Sequence, residues 1–342
     1  MNDLLNVVII DEPFQYAEME MLGLPLREYV KLGLKDQDPI IIGCMQELCI
    51  SNSKYTAIVY SHMPLITSKT LLDLINYCEE QNIDAMSIGS GVICLTSILN
   101  GVRPVRSYNG NDCISALSPE RLSDVYRELC NRNITRAIRD GAIILDKVAI
   151  YIDYNVIIES GVIIYPMVTI KGNSIIRSGA VIRSGSVIEN SIINNGANIF
   201  ASFVNDSKVG NNTTVGPCSL IRGGSEIGSN VRIGDFVEVK ASKMGDGCKA
   251  AHLTYIGDAE IGISANIGCG TVFANYNGKI KQKTIVGDNV FIGSNTNLVA
   301  PIKVGNNAYT AAGSTVTEDV PENTLCIARA RQVIKELKRD KK

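Results

Sequence analysis

The sequence predicts a parallel β-helix preceded by a small α/β domain. Two patterns carry that expectation: an apolar residue at every sixth position through the C-terminal half, and a first third that lacks this period. Counting in sixes from Ile152 gives Ile158, Ile164, Ile170, Ile176, Ile182 and Ile188. A second run holds Val209, Val215, Ile221, Ile227, Ile233 and Val239, and a third holds Val286, Ile292, Leu298 and Val304, with Thr310 a polar exception before Val316. Six is neither the 3.6 of a helix nor the bare 2 of a strand, and a fixed repeat is the mark of a solenoid. Each apolar residue is expected to point into a prism whose coils are three short strands. A sandwich would instead show period 2 with turn signals every ~8–12 residues.

In chain order, LNVVIID, DPIIIGC and YTAIVY read as short strands, alternating with helical stretches near 15–33 and over SKTLLDLINYCEEQN at 68–82. Together these predict an open α/β sheet over residues 1–116. Ser118 to Gly141 opens with Ser-Pro-Glu and ends in glycine, so 117–147 reads as a linking helix and connector. The repeat domain occupies 148–320. Within it, glycine follows the apolar position at Gly210, Gly216, Gly228, Gly234, Gly262, Gly268, Gly287, Gly293 and Gly305, which suggests a permissive backbone at tight corners. The phase breaks near 189–208, 240–260 and 274–285, where loops are expected to leave the wall, and Asn275 to Lys283 reads as a polar, basic loop. Residues 321–342 read as a basic, solvated tail.

With 33 Lys and Arg against 35 Asp and Glu, the net charge is −2, so no basic field favours nucleic acid. The N-terminus lacks a basic n-region, and no 18 apolar residues run together, which predicts a soluble, cytoplasmic chain without a membrane partner. The ten cysteines are scattered without a C-x-x-C pair and read as cytosolic thiols. His62 and His252 are the only histidines, so a zinc site is not expected, nor any other metal.

The stretch from Lys249 to Val320 carries HLTYIGDAEIG, NYNG and IGSNT in order. In these words it resembles the acetyltransferase domain of the bacterial bifunctional N-acetylglucosamine-1-phosphate uridyltransferase and glucosamine-1-phosphate N-acetyltransferase family. The similarity is dense over about 205–331 and weaker back to about 118. It implies a left-handed parallel β-helix, acetyl-CoA as co-substrate, an amino-sugar phosphate as acceptor, and a homotrimer whose active sites draw on neighbouring chains. The first domain departs from the family. It is about half the usual length, and its first strand runs into Asp11-Glu12-Pro13-Phe14 where the family has a glycine-rich phosphate loop. His62 stands where the family's magnesium aspartate lies, and Ile114 or Ser115 where a later metal asparagine belongs. An imidazole is a poor ligand for a hard cation. Residues 1–116 are therefore expected to be a shortened, degenerate nucleotidyltransferase-like domain.

Amine acetylation needs a base, a polarised carbonyl and a grip on both substrates. By resemblance, His252 is the base, Glu238 orients or polarises it, and Asn275 with Tyr276 places the amine and the acetyl group. Arg222, Lys240 and Lys281 match phosphate and sugar contacts, with Tyr255 and Asn266 supplying hydrogen bonds. Ser294, Ala312 and Arg329 match coenzyme contacts. Outside that match, each has an ordinary reading: a structural histidine, a strand carboxylate, surface cations, a turn, a small corner residue. The family's Arg-Pro-Gly reads Arg222-Gly223-Gly224 here, which suggests a looser arginine. Two other functions stay open. One is N-acetylation of a different amino sugar, favoured by Gly223 and Ala251 replacing the family's proline and glycine; the other is a non-catalytic trimeric scaffold or sugar-nucleotide sensor.

Overall fold

The computed structural model describes residues 4–49 and 52–336. The chain forms two compact units, 4–135 with 152–154, and 136–151 with 155–336.

The N-terminal unit is built on a six-stranded mixed sheet. Its strands are β1 (Leu5–Ile10), β2 (Ile40–Ile42), β3 (Tyr55–Tyr60), β4 (Ala85–Ile88), β5 (Gly91–Leu95) and β6 (Arg106–Tyr108), in the order β2-β1-β3-β5-β4-β6. Strand β1 runs parallel to β2 and β3, and β5 lies antiparallel between β3 and β4. The first three strands coincide with the predicted ones; β4 to β6 were not legible as strands.

Helix α1 (Leu26–Leu34) is shorter than the stretch predicted near 15–33. Residues before it form turns and a two-residue hairpin, Glu20–Met21 against Leu24–Pro25, because Gly23 at φ 83° reverses the chain. Helix α2 (Ser68–Glu80) begins where Thr67 accepts the backbone N–H of Thr70 at 3.2 Å. It buries Leu71, Leu74, Ile75 and Cys78, spaced i, i+3, i+4, i+7, in one cluster with Val7, Ile9 and Val59 of the sheet. Helix α3 (Pro119–Arg139) matches the predicted linking helix.

The second unit is a left-handed parallel β-helix with sheets of ten, nine and eleven strands among the described residues. Every apolar residue of the three runs points inward; Ile164, Ile170, Ile176, Ile182 and Ile188 are fully buried. Each such side chain stabilises the fold by ~1.5–3 kcal/mol relative to exposure. Thr310, the polar exception, is also buried, and its hydroxyl accepts the Gly293 N–H at 3.1 Å. Buried serines serve the corners in the same way. The Ser174 hydroxyl accepts the N–H of Ser191, and that of Ser191 accepts the N–H of Ser207 on the next coil.

Two sequence readings change. Of the three phase breaks, only Asn275–Lys283 is a loop. Ile170 pairs with Ile188, a coil of eighteen residues, whereas Ile188 pairs with Val204 after sixteen and Val239 with Ile256 after seventeen. Those two breaks are shortened corners closed by left-handed residues such as Ala201 and Ala241. The coil from Ile261 to Val286 takes twenty-five residues, seven above eighteen, and the loop takes up that excess. The second reading concerns the glycines. Of the nine that follow the apolar position, only Gly216 has a positive φ. At the others a Cβ would strike the next coil, as at Gly234 against Ala251, so close stacking excludes larger residues there.

The last coil also reaches into the segment predicted as tail. Leu325–Cys326 pairs with Tyr309–Thr310, held by its backbone while Leu325 stays exposed. The end of that segment, residues 337–342, lies outside the described residues.

Candidate active site on the β-helix

His252 ends the strand Lys249–His252 of the eleven-stranded sheet, at the corner where the chain turns into the ten-stranded one. Its backbone partner one coil below is Asp235, and the side chains follow the register: Nδ1 lies 2.6 Å from the Asp235 carboxylate. A carboxylate only accepts, so Nδ1 donates its N–H, and in the neutral ring Nε2 then holds the lone pair. The bond from His252, followed by the backbone N–H of Asp235 itself, holds the Asp235 carboxyl below the usual carboxylate range. Sequence reading had assigned the orienting acid to Glu238 and missed Asp235. Glu238 instead accepts Arg222 Nε at 2.9 Å and Nη2 at 2.8 Å.

That pair fixes Arg222, which had been expected to be loose. Gly223 and Gly224 sit at φ 68° and 77°, a backbone closed to proline, yet the arginine fork rests on Glu238. Arg222, Lys240 and Tyr255 all lie on strands of the ten-stranded sheet, with Arg222 directly in register with Lys240. At the far edge of that wall the Lys240 ammonium donates to both oxygens of Asp258, at 3.0 and 3.2 Å. Asn275, nearly buried, donates to the same carboxylate, and its amide lies 3.4 Å from the Tyr255 hydroxyl. Lys281 reaches this group from the loop. Its pKa is lowered by the neighbouring Lys240, which Lys281 and Asp258 in turn hold above its usual range. Asp258, the organiser, was also missed. Both overlooked aspartates lie one coil from a partner, Asp235 seventeen residues before His252 and Asp258 eighteen after Lys240, and coil-length spacing is the signal that would have found them.

The other expected residues divide. Tyr276 is exposed on the loop, and its hydroxyl donates to the Gly278 carbonyl at 2.7 Å. Asn266 is not brought to the Arg222–Lys240 wall, since its strand belongs to the eleven-stranded sheet. Ser294 and Ala312 stack on the His252 corner. The chain there climbs from Leu253 to Gly270, whose N–H bonds the Leu253 carbonyl at 3.1 Å, and from Ser294 to Gly313 at 2.8 Å. A Cβ on Gly313 would lie 3.7 Å from Arg329 Cδ, so Arg329 continues the same column. Beside Asp235 and His252, Phe236 and Leu253 adopt φ 53° and 47° while remaining 60% and 59% exposed. The same left-handed corner recurs on other coils at Met167, Ala201 and Cys218, so it belongs to the repeat and not to this site in particular.

In the N-terminal unit, His62 stacks on Tyr60 with ring centroids 5.1 Å apart and meets the Phe14 edge at 5.9 Å. Burial lowers its pKa. Among the described residues, no three His, Cys, Asp or Glu side chains converge as a metal site requires, and no helix is long and apolar enough to cross a membrane.

Comparison with known proteins accords with this architecture. Residues 206–241 and 283–318 match the family described as bacterial transferase hexapeptide (six repeats). A bifunctional protein GlmU of Acetivibrio thermocellus is 36% identical over 361 aligned positions, covering 85% of this chain and 78% of that protein. That of Clostridium perfringens is 45% identical, covering 75% of this chain and 63% of its own length; that of Brevibacillus brevis is 47% identical, covering 63% and 47%. The Arabidopsis UDP-N-acetylglucosamine acyltransferase structure aligns with a TM-score of 0.43 at 17% identity, over 53% of this chain and 70% of that one. With that identity extending over more than three quarters of the Acetivibrio protein, the chain belongs to the bifunctional GlmU family.

Proposed function

We propose that this acyltransferase moves an acetyl group from acetyl-CoA to the amine of glucosamine-1-phosphate, and that it does not perform the uridyl step. The observation that carries the reading is the Asp235–His252 pair, set between a corner column ending at Arg329 and a wall of cations. Strands on one wall are three residues across, so roughly 7 Å separates its two edges. A hexosamine phosphate can span that distance, with its phosphate at Arg222, Lys240 and Lys281 and its amine near His252. Nε2 of His252 takes a proton from the amine as nitrogen bonds to the acyl carbon. The same proton is then available to the departing thiolate, so charge balances across the transfer.

The column from His252 through Ser294 and Ala312 to Arg329 suits a long, linear co-substrate whose phosphates meet the arginine. Asn266 completes the acceptor site only if a second chain presents its eleven-stranded wall. Exposed Phe236 and Leu253 beside His252 favour such a covering chain, and we therefore take the active form to be a homotrimer. Loss of the uridyl step is supported by the aromatic stacking of His62 and by the absence of a glycine-rich loop after β1. Thiol release from acetyl-CoA, measured with glucosamine-1-phosphate and with free glucosamine, tests the reading. The phosphorylated acceptor should be strongly preferred, and equal rates, or no release with either, would overturn it.

A further inference from the structure

A cavity of about 650 Å³ lies entirely within the N-terminal unit, beside α2 and the edge strand β6. Leu74 and Met86, both buried, and the rings of Tyr77 and Tyr108 give it an apolar side. Three elements each send a cation to it: Lys69 from the first turn of α2, Arg106 from β6, and Arg132 from α3. Arg132 is anchored, donating to Asp112 at 3.2 Å and to Glu128 at 3.1 Å, while the second oxygen of Asp112 accepts the Thr70 hydroxyl at 2.7 Å. This network ties α2 to α3 and orders one end of the cavity before any ligand arrives, which lowers the entropy cost of binding.

Lys69 and Arg106 differ from Arg132. Among the described residues neither has a carboxylate within ion-pair distance; Arg106 has only a long 3.4 Å bond to the Tyr77 hydroxyl. Asp73, one turn from Lys69, is likewise free of any ion pair and lines the same space. The cavity thus offers unpaired cations, an unpaired acceptor carboxylate, and an apolar side that carries the Tyr77 and Tyr108 phenols.

A bare anion would use the cations and leave Asp73 opposed to it, and an apolar molecule would use only the apolar side. A phosphorylated sugar satisfies all three: phosphate oxygens take Lys69 and Arg106, ring hydroxyls donate to Asp73, and the C–H face rests on Tyr and Met side chains. The volume lies within the ~300–1,000 Å³ usual for small-molecule sites. No imidazole or activated nucleophile lines it. We infer that this cavity is a non-catalytic binding site for a phosphorylated sugar, separate from the acetyl-transfer site and independent of how that site is read.

The chain contains no tryptophan, so Tyr77→Trp places a single fluorescent reporter on the cavity wall. Titration with glucose-1-phosphate, which has no amine to acetylate, should give a saturable emission change, and calorimetry on the unmodified full chain should show the same affinity. Adding Lys69→Ala and Arg106→Ala should weaken binding by at least about tenfold, the lower worth of a charge-assisted bond. Arg222→Ala should leave the emission change intact. Inorganic phosphate and glucose should each bind at least about tenfold more weakly than the sugar phosphate. No saturable response by either method would overturn the inference. So would a response as strong with inorganic phosphate, or one abolished by Arg222→Ala and spared by the Lys69 and Arg106 changes.

Discussion

Replacing Asp235 by Asn changes one atom and removes one charge, which makes it a sharp probe of the catalytic pair. Nδ1 of His252 lies 2.6 Å from a carboxylate that accepts its proton and favours the imidazolium formed during transfer. Losing a hydrogen bond to a charged group typically costs roughly 10- to 150-fold in rate. The His252 and Asp235 side chains are 53% and 37% exposed, so water screens the charge and the lower part of that range applies. An amide can also present its NH₂ to Nδ1, which moves the ring proton to Nε2 and removes the base. Both effects lower kcat/KM, and we expect a fall of roughly 10- to 100-fold with little change in melting temperature.

A charge-conserving variant separates this role from a structural one: Asp235→Glu keeps a carboxylate beside Nδ1 and should recover part of the rate that Asp235→Asn loses. The assay is steady-state thiol release between about pH 5 and 9, with His252→Ala as the limiting case at a loss of ~10²–10⁴. Wild-type kcat/KM in Asp235→Asn would refute the pairing as a catalytic device.

Lys240→Ala should cost roughly 10- to 100-fold in kcat/KM for glucosamine-1-phosphate but little for free glucosamine, since only the former carries a phosphate; equal losses on both would mean that Lys240 acts through Asp258 and Asn275 instead. Purified protein should release no pyrophosphate from UTP and N-acetylglucosamine-1-phosphate, with or without magnesium, and release that survives His252→Ala but not removal of residues 1–116 would restore the uridyl step. Burial lowers the His62 pKa, so below its ordinary value of 6.5 the unfolded chain takes up a proton that the folded one resists. Stability is therefore full above that pH and declines as pH falls below it. His62→Phe keeps an aromatic ring between Tyr60 and Phe14 and should flatten this part of the melting-temperature profile between about pH 7.5 and 5.5; an unchanged slope would place the proton elsewhere.

By itself the sequence determined the β-helix, because burial is a one-dimensional property there: each coil repeats the same three inward positions, and Ile152 to Ile188 state that period outright. The words around His252 likewise sufficed to place the chain in its family. Tertiary structure decided what depends on neighbours across coils. Asp235 and Glu238 are both acids in one short strand-and-corner segment, and only the coil register puts the first on His252 and the second on Arg222. The glycines that looked like flexible corners are mostly stacking positions, a distinction invisible until the next coil is present. Strands β4 to β6 carry no comparable period, and the cavity at their edge exists because residues 69, 106 and 132, far apart in sequence, meet when α2 and α3 pack. Periodic burial can be read along a chain, whereas the pairing of charges depends on contacts between distant segments and appears only after folding.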